Sequence, residues 1–159
     1  MGHRETILDP KRMKRVVVKL GSAVLLHHRR GLREEVIGGL AEEVASLSEA
    51  YGMSFVIVSS GAVAAGRKVL GLTGPLSLPK KQASAAVGQT QLMECYERAF
   101  QRRGRHVAQL LVTHDDFTNR ERYVNVKQTL GQLFSLGVVP IINENDSVST
   151  EEIRFGDND

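Results

Sequence analysis

The stretch that decides the fold is Phe55-Val-Ile-Val-Ser-Ser-Gly-Ala-Val-Ala-Ala-Gly66. Its first four residues are apolar without alternation, which is typical of a strand buried on both faces in a parallel sheet. Ser59, Ser60 and Gly61 then interrupt the strand and precede a helix predicted over Val63–Leu70. A strand, a polar turn and a helix in direct succession indicate an α/β unit.

The order of helix, glycine, apolar strand and polar turn occurs three times along the chain. Each helix has apolar residues at helical spacing and stops near a glycine, which takes the left-handed conformation of a helix end at little cost. The three glycines are Gly52, Gly104 and Gly137. The predicted strands are Arg15–Leu20, which precedes all three copies, then Phe55–Val58, Val107–Val112 and Val138–Ile142.

Apolar strands that alternate with amphipathic helices predict an α/β fold with a mainly parallel sheet sandwiched between helix layers. The connections are expected to be right-handed crossovers. Gly71–Pro79, with two glycines and two prolines, is predicted to be a loop within the domain. Pro140 favours an edge position or a strand end for the last strand, because proline donates no ladder hydrogen bond.

Composition narrows the class of protein. The 159 residues suffice for one domain, 42% are apolar and 25% are charged, which is ordinary for a soluble protein. No apolar run approaches the roughly 20 residues that cross a bilayer, and Met1–Arg15 lacks the apolar core of a secretion signal. Cys95 is the only cysteine, which suits a reducing compartment. We therefore expect a cytoplasmic protein without a membrane partner.

The net charge of +3 raises the question of nucleic-acid binding. Basic clusters flank predicted strand or helix ends, where solvated charge is usual, and the chain has no Trp, 3 Tyr and 5 Phe with which to stack bases. Nucleic acid is therefore not an expected partner.

Polar or small residues follow every predicted strand. In open α/β sheets, ligands bind beyond the carboxyl ends of the strands. Four segments are expected to meet at that edge, which we call the carboxyl rim: Lys19–Ser22, Ser59–Ala62, Thr113–Asp116 and Asn143–Asp146.

Lys19 is a cation in a strand of Val and Leu, where lysine is rarely buried without a partner. Gly21 has no side chain, so backbone N–H groups there can approach an anion. A cation beside exposed amides suits a transferring phosphoryl group. The alternative is an edge-strand lysine directed to water, and the sequence leaves both open. No Walker motif is present.

Two further segments have both functional and structural interpretations. Ser60 is expected to add a hydroxyl to an anion site at a helix N-terminus, to cap that helix, or to do both. Asn143–Asp146 is not expected to enter a core, and its acids and amides suit an ammonium group. The terminal Gly156–Asp159 repeats this chemistry or is a solvated end. The histidines lack metal-site spacing, so no metal ligands are predicted.

Five motifs together resemble the glutamate 5-kinase branch of the amino-acid kinase family. The resemblance runs in order from about Lys14 to the last residue, and the motifs are Val16–Ser22, Val56–Gly66, Ala85–Gln89, Ile141–Asp146 and Gly156–Asp159. It implies that Lys19 contacts the phosphates of ATP and acts in catalysis. It also implies that Asp157 and Asp159 organise the basic residues around those phosphates.

The resemblance assigns the remaining site residues as well. Gly21 and Ser22 are expected to shape the ATP phosphate loop. The residues implied to bind the substrate are Ser60, Gly61, Ala62, Asn145, Asp146 and Asn158.

The activity implied by the resemblance is ATP-dependent phosphorylation of the side-chain carboxylate of L-glutamate, the first step of proline biosynthesis. Mg²⁺ is expected to be held mainly by the phosphates, proline to act as a feedback inhibitor, and the complete protein to form a homo-oligomer. Residues 1–14 are expected to be a poorly ordered N-terminal extension, and residues 15–159 the substrate-binding part of a domain whose nucleotide-binding half is absent, so the sheet is truncated.

Two alternatives remain open at this point. In place of the activity above, the chain could serve as a non-catalytic fragment that binds glutamate or proline. It could instead be another amino-acid kinase that acts on a different carboxylate.

Overall fold

The computed structural model describes residues 13–27 and 31–148. Their helices and strands are, in chain order, β1 (Arg15–Leu20), α1 (Ser22–Leu25), β2 (Leu26–His27), β3 (Gly31–Leu32), α2 (Glu34–Tyr51), β4 (Ser54–Ser59), α3 (Ala62–Val69), α4 (Leu78–Gln101), β5 (Val107–Val112), α5 (His114–Thr118), α6 (Arg120–Ser135) and β6 (Val139–Glu144).

The main sheet has four strands in the order β1-β4-β6-β5, and every neighbouring pair is parallel. In register, Val18 lies opposite Ile57, and Ile57 lies opposite Ile141. β2 and β3 form a separate antiparallel pair. The predicted α/β fold with a parallel sheet between helices is therefore confirmed.

The two faces of the sheet are covered to different extents. The inner face, which carries Phe55, Ile57 and Ile141, packs against α2 and α4 and forms the core. Val17 lies on the opposite, outer face and is 68% exposed. The Arg15 guanidinium lies 5.2 Å from the centre of the Phe134 ring, which places α6 against the outer face. The sheet therefore has helices on both faces, as in an α/β/α sandwich, and the core within the described residues lies on its inner face.

The glycines predicted to stop three helices do so. Gly52 has φ 64°, a left-handed conformation, and its N–H donates to the carbonyl of Ser48 at 3.0 Å at the end of α2. Gly104 and Gly137 follow α4 and α6 with similar positive φ values. Each helix end therefore has the local cause that the sequence indicated.

Two other glycines set the distance between helices α3 and α4. A Cβ on Gly66 would lie 1.8 Å from the carbonyl oxygen of Ser84, and one on Gly88 would lie 1.8 Å from that of Ala62. No side chain fits in either place, so the backbones touch directly. Glycines in two of the quoted motifs, Val56–Gly66 and Ala85–Gln89, therefore have a packing role.

The position of Pro140 differs in part from expectation. The edge interpretation is wrong, because β6 lies between β4 and β5. The strand-end interpretation holds, since Pro140 is the second residue of β6. β4 pairs with β6 only from Ile141 onward, so proline occupies a point where the ladder with β4 has not yet begun.

Several boundaries of helices and loops also differ from those predicted. α3 begins at Ala62 and ends at Val69, and α4 begins at Leu78, so Pro79 belongs to the first turn of a helix rather than to the loop. Proline is favoured there because its missing N–H has no partner in a first turn. At the other end of the described chain, Met13 packs against the core and the carbonyl of Lys14 accepts from the N–H of Ser54.

Candidate functional site

The carboxyl ends of β1, β4, β5 and β6 lie at one edge of the sheet because all four strands are parallel. The four segments of the carboxyl rim therefore meet as predicted. The chain leaves β4 toward α4 on the inner face, and it leaves β5 toward α6 on the outer face. The two connections diverge on either side of β6. The end of β6 thus occupies the crevice in which α/β sheets bind ligands.

The rim segment after β4 presents the N-terminus of α3. Gly61 is the residue before this helix, with φ 96°, and no side chain caps it. The hydroxyl of Ser60 instead donates to the carbonyl of Leu20 at 3.1 Å, which ties β4 to β1. The interpretation of Ser60 as a helix cap is therefore wrong. The first backbone N–H groups of α3, starting at Ala62, are left without a side-chain acceptor, as an anion site requires.

The rim segment after β6 enters the core, contrary to expectation. Asn143 is 4% exposed and Asp146 is 2% exposed, and β6 extends through Glu144 rather than stopping at Ile142. Four consecutive polar residues after an apolar strand were not expected to continue into a core. Asn143 instead points along the inner face of the sheet, in register with Leu111.

The hydrogen bonds of this segment hold it in place. The Asn143 Oδ1 atom accepts from the N–H of Glu144 at 2.9 Å, and the N–H of Asn145 donates to the carbonyl of Val112 at 2.8 Å. The Asn145 side chain accepts from Ser147 at 2.6 Å. The Nδ2 group of Asn143 is buried and makes no hydrogen bond within the described part of the chain. The segment that carries the buried Asp146 thus also contains a buried amide donor.

A cavity of about 490 Å³ opens beside this segment, between α4 and the ends of β5 and β6. Its lining includes Asn145, Asp146, Glu144, Leu111 and the paired amides of Gln89 and Gln109. The Gln109 Nε2 group donates to the Gln89 Oε1 atom at 3.1 Å.

The sequence analysis gave no individual role to Gln89 or Gln109, and it named Asn143 only as part of the Asn143–Asp146 segment. Each is polar on an otherwise apolar strand or helix face, and that irregularity was the available signal.

Lys19 lies on the outer face, in register with Val58 on the neighbouring strand, and its side chain is exposed. β1 is an edge strand of the described sheet. Lys19 and Asn143 therefore lie at the same edge but on opposite faces. Only a ligand that extends across the rim reaches both groups.

Gly21 and Ser22 follow Lys19 at the start of α1. Gly21 has φ −74°, which any residue can adopt, and an added Cβ would meet no heavy atom within 4 Å. Packing within the described chain therefore does not require glycine here. The space above Gly21 is therefore open, and the role of this loop toward phosphates stays a prediction.

The rim segment after β5 has a structural role. The Asp116 carboxylate accepts from the N–H of Thr113 at 2.7 Å and from its hydroxyl at 2.9 Å, which closes a capping box on α5. These hydrogen bonds hold the pKa of Asp116 below its ordinary value, with Arg122 adding to the effect. This segment stabilises the rim and offers no buried acid to a ligand.

A buried hydrogen bond fixes α4 against the end of β4. The hydroxyls of Ser59 and Tyr96 lie 3.0 Å apart, and both side chains are buried. Burial raises the pKa of Tyr96 to about 12, so the phenol stays neutral under all ordinary conditions.

A second cavity, of about 840 Å³, is lined by Ser22 and by the basic residues Arg33, Arg67 and Lys68. The Arg67 guanidinium donates to the carbonyls of Leu72 and Gly74 at 3.1 Å and 2.9 Å. Arg67 is therefore held in place by the loop after α3. Positive charge is thus concentrated beside the Gly21–Ser22 loop.

The predicted residues Asp157, Asn158 and Asp159 lie outside the described residues. Within the described ranges, no helix combines the length and the apolar character that crossing a membrane demands.

An open parallel sheet with its crevice at the carboxyl edge defines the class: an α/β protein that binds small ligands at the ends of its strands. Residues 14–159 match the amino acid kinase family, and the chain belongs to that family.

The chain is also similar to individual proteins of known name. It is 53% identical over 150 residues to the glutamate 5-kinase of Geobacter metallireducens, covering 94% of this chain and 40% of that protein. It is 54% identical over 149 residues to the glutamate 5-kinase of Geobacter sulfurreducens, covering 93% and 40%. For the glutamate 5-kinase of Thioalkalivibrio sulfidiphilus, the values are 53% over 147 residues, 92% and 39%. The chain thus spans about 40% of the length of these relatives.

Proposed function

We propose that this chain forms the amino-acid-binding part of a kinase that transfers the terminal phosphoryl group of ATP to the side-chain carboxylate of L-glutamate. Relatives that are 53% and 54% identical over nearly the whole chain are named glutamate 5-kinase. The observation that carries the proposal is the meeting of Lys19, the uncapped start of α3 and the buried Asp146 segment at one sheet edge.

Each predicted site residue has a role in this proposal. Lys19 and the Gly21–Ser22 loop lie on the side where the ATP phosphates bind, and Mg²⁺ shields those phosphates. The backbone amides of Gly61 and Ala62, with Ser60, hold the carboxylate that is phosphorylated. Ser60 takes part only if its hydroxyl turns from the carbonyl of Leu20.

The amino group of the substrate binds at the opposite end of the site. Asp146 supplies a buried carboxylate for the ammonium, and Asn145 lines the same cavity. Asp157, Asn158 and Asp159 are proposed to complete the substrate and phosphate contacts.

The proposed chemistry matches this inventory of groups. A carboxylate is already deprotonated at neutral pH, so the reaction needs no general base. The difficulty lies in bringing two anions together, which positive charge and fixed amide dipoles relieve. The described part of the site has those groups.

The test is a hydroxamate assay, in which hydroxylamine traps the acyl phosphate formed from Mg·ATP and each candidate substrate. We expect product from L-glutamate but not from L-aspartate or N-acetyl-L-glutamate. Product from one of the other two instead would assign the protein to a different amino-acid kinase. The nucleotide-binding half that completes the site is expected in the part of the relatives that this chain does not cover.

A second candidate is a unit that binds glutamate without phosphorylating it. The observation that favours it is the coverage of only 40% of the relatives. Calorimetry separates the two, because a kinase binds both L-glutamate and Mg·ATP, whereas the second candidate binds the amino acid alone.

The remaining proposals concern partners and location. Proline shares the carboxylate and ammonium of glutamate and is proposed as an inhibitor that competes for the same cavity; calorimetric competition tests this. Homo-oligomer formation is proposed because Phe117, Tyr123 and Val124 are exposed, and sedimentation tests it. A cytoplasmic location is proposed from the single unpaired Cys95, and fractionation tests it.

A further inference from the structure

We infer that Gln89 determines the specificity of the amino-acid site by donating a hydrogen bond to the α-carboxylate of the substrate. This inference rests on the proposed function and deepens it, since it names the residue that reads one end of the ligand. It concerns a residue on α4, apart from the rim segments themselves.

The first observation is an unused donor. Gln89 is 9% exposed, and its Nε2 group is buried without a hydrogen-bond partner among the described residues. A buried amide that lacks a partner destabilises the fold, so such groups usually have a functional explanation.

The second observation is that Gln89 lines a cavity and that its side-chain amide has a fixed orientation. Gln89 lines the 490 Å³ cavity together with Asn145 and Asp146. Its Oε1 atom is occupied, because it accepts from Gln109 at 3.1 Å. Gln109 thereby orients the Gln89 amide so that only its donor side remains available to a ligand.

The chemistry of the cavity selects the kind of ligand. An N–H donor requires an acceptor such as a carboxylate oxygen. Glu94, Glu97 and Glu144 also line the cavity, and they disfavour a purely anionic ligand but favour one that carries an ammonium group. A carboxylate and an ammonium attached to the same carbon atom are the backbone end of an α-amino acid.

The position of Gln89 decides which carboxylate it contacts. Gln89 is hydrogen-bonded to Gln109 of β5, and β5 lies three strand spacings from β1 in the sheet. Three strand spacings separate the Gln109 strand from the Lys19 strand by roughly 14 Å. The carboxylate that is phosphorylated must lie toward Lys19 and the start of α3. The carboxylate near Gln89 is therefore the α-carboxylate.

The test compares variants in the binding of two ligands, measured by calorimetry. L-Glutamate carries the α-carboxylate, and 4-aminobutyrate is the same molecule without it. We expect Gln89→Leu to weaken L-glutamate binding about 10- to 100-fold, as expected for a lost hydrogen bond to a charged group. The Kd for 4-aminobutyrate should stay unchanged, so the ratio of the L-glutamate Kd to the 4-aminobutyrate Kd rises by the same factor.

Two further variants sharpen the test. Gln89→Glu replaces the donor with an acceptor and should weaken glutamate binding more than Gln89→Leu does. Gln91→Leu, on the same helix but at an exposed position outside the cavity, is the matched control and should bind as the wild type. Urea unfolding checks the fold: Gln89→Leu removes an unsatisfied donor but also the acceptor of Gln109, so its urea midpoint should stay close to that of the wild type.

The outcomes separate the two levels of inference. Absence of L-glutamate binding by the wild type would overturn the proposed function itself. Wild-type binding with equal affinities for Gln89→Leu and Gln91→Leu would overturn only the role of Gln89. Retained or tighter binding by Gln89→Glu would do the same, because it would show that the position accepts rather than donates.

Discussion

At the residue scale, the proposed catalytic role of Lys19 can be tested separately from its contribution to stability. Its side chain is exposed, so we expect Lys19→Ala to change the free energy of unfolding by no more than about 0.5 kcal/mol. Because a charged donor to a transferring phosphoryl group contributes strongly in the transition state, turnover should fall by at least about 100-fold. The measurements are urea unfolding and kcat for acyl phosphate formation.

The control for Lys19 is Lys14→Ala, an exposed lysine just before β1 whose backbone carbonyl alone makes a described hydrogen bond. It should retain wild-type turnover. Equal turnover in both variants would remove Lys19 from the mechanism and leave it as a solvated edge-strand cation.

Cys95 should be unreactive toward thiol reagents in the folded protein. It is 4% exposed, and burial, with a smaller effect from Glu34, raises the pKa of its thiol to about 11. At about pH 8 only ~0.1% of such a thiol is thiolate, the reactive form. Labelling with a chromogenic disulfide should be at least about 100-fold slower in buffer than in urea. Since this is the only cysteine, the trace has one phase; similar rates in both solvents would place Cys95 at an accessible site.

At the element scale, the crossing of α3 and α4 makes an unusual demand on sequence. A methyl group at Gly66 would overlap the backbone of Ser84, which cannot move aside as a flexible side chain would. Gly66→Ala should therefore destabilise the protein by at least about 2 kcal/mol. Chemical denaturation followed by circular dichroism measures the change.

Two glycines serve as controls for Gly66. Gly39 lies within α2 with open space around it, so Gly39→Ala should stabilise the protein by about 0.5–1 kcal/mol. Gly21→Ala should leave stability unchanged but weaken Mg·ATP binding, because only a ligand needs the space there. A Gly66→Ala protein as stable as the wild type would mean that the helices can separate freely.

The elements themselves were largely predictable from the sequence, because each depends on local periodicity and a local stop. The apolar run at 55–58 and the glycine at 52 have the same meaning in isolation as in the fold. The order of strands depends on which crossover returns to the middle of the sheet, and local patterns do not report that. This is why the sequence left an edge position open for Pro140, which lies near the start of an interior strand.

The location of the candidate site was predictable from the sequence, but the burial of its residues was not. The rule for parallel sheets located the carboxyl rim, and it did not reveal which polar residues turn inward. Asn143 and Asp146 are buried because β6 lies between two strands and beneath α4, a tertiary arrangement that the sequence does not encode locally. Ser60 contacts β1 rather than capping α3 for the same reason.

At the scale of the whole molecule, the two faces of the sheet differ in how deeply their residues are buried. The inner face carries the core, in which Tyr96, Phe100 and Leu92 of α4 are fully buried. The outer face has exposed Val17 and the exposed Lys19. The core therefore determines how the protein responds to conditions that alter buried groups, and Tyr96 is one buried group that titrates.

The folded protein should lose stability in strong alkali through Tyr96. Its pKa rises from an ordinary 10.0 to about 12 on folding, because burial disfavours the phenolate. Below about pH 10 both states keep the proton and the stability is fully present. As the pH rises further, the unfolded chain releases the proton first and is stabilised relative to the folded chain. The free energy of unfolding should fall by about 2 kcal/mol between pH ~10 and ~12, and the total loss approaches about 3 kcal/mol above pH ~12.

Tyr96→Phe isolates this effect from general alkaline denaturation. Phenylalanine keeps the buried ring but has no proton to lose and no hydroxyl for Ser59. At about pH 8 the variant should be less stable than the wild type by roughly 1 kcal/mol, the net value of one hydrogen bond. The order should reverse near pH 12, because only the wild type then forms a phenolate on unfolding. Urea midpoints across this range measure the crossing; parallel curves without a crossing would mean that the hydroxyl of Tyr96 reaches water in the folded protein.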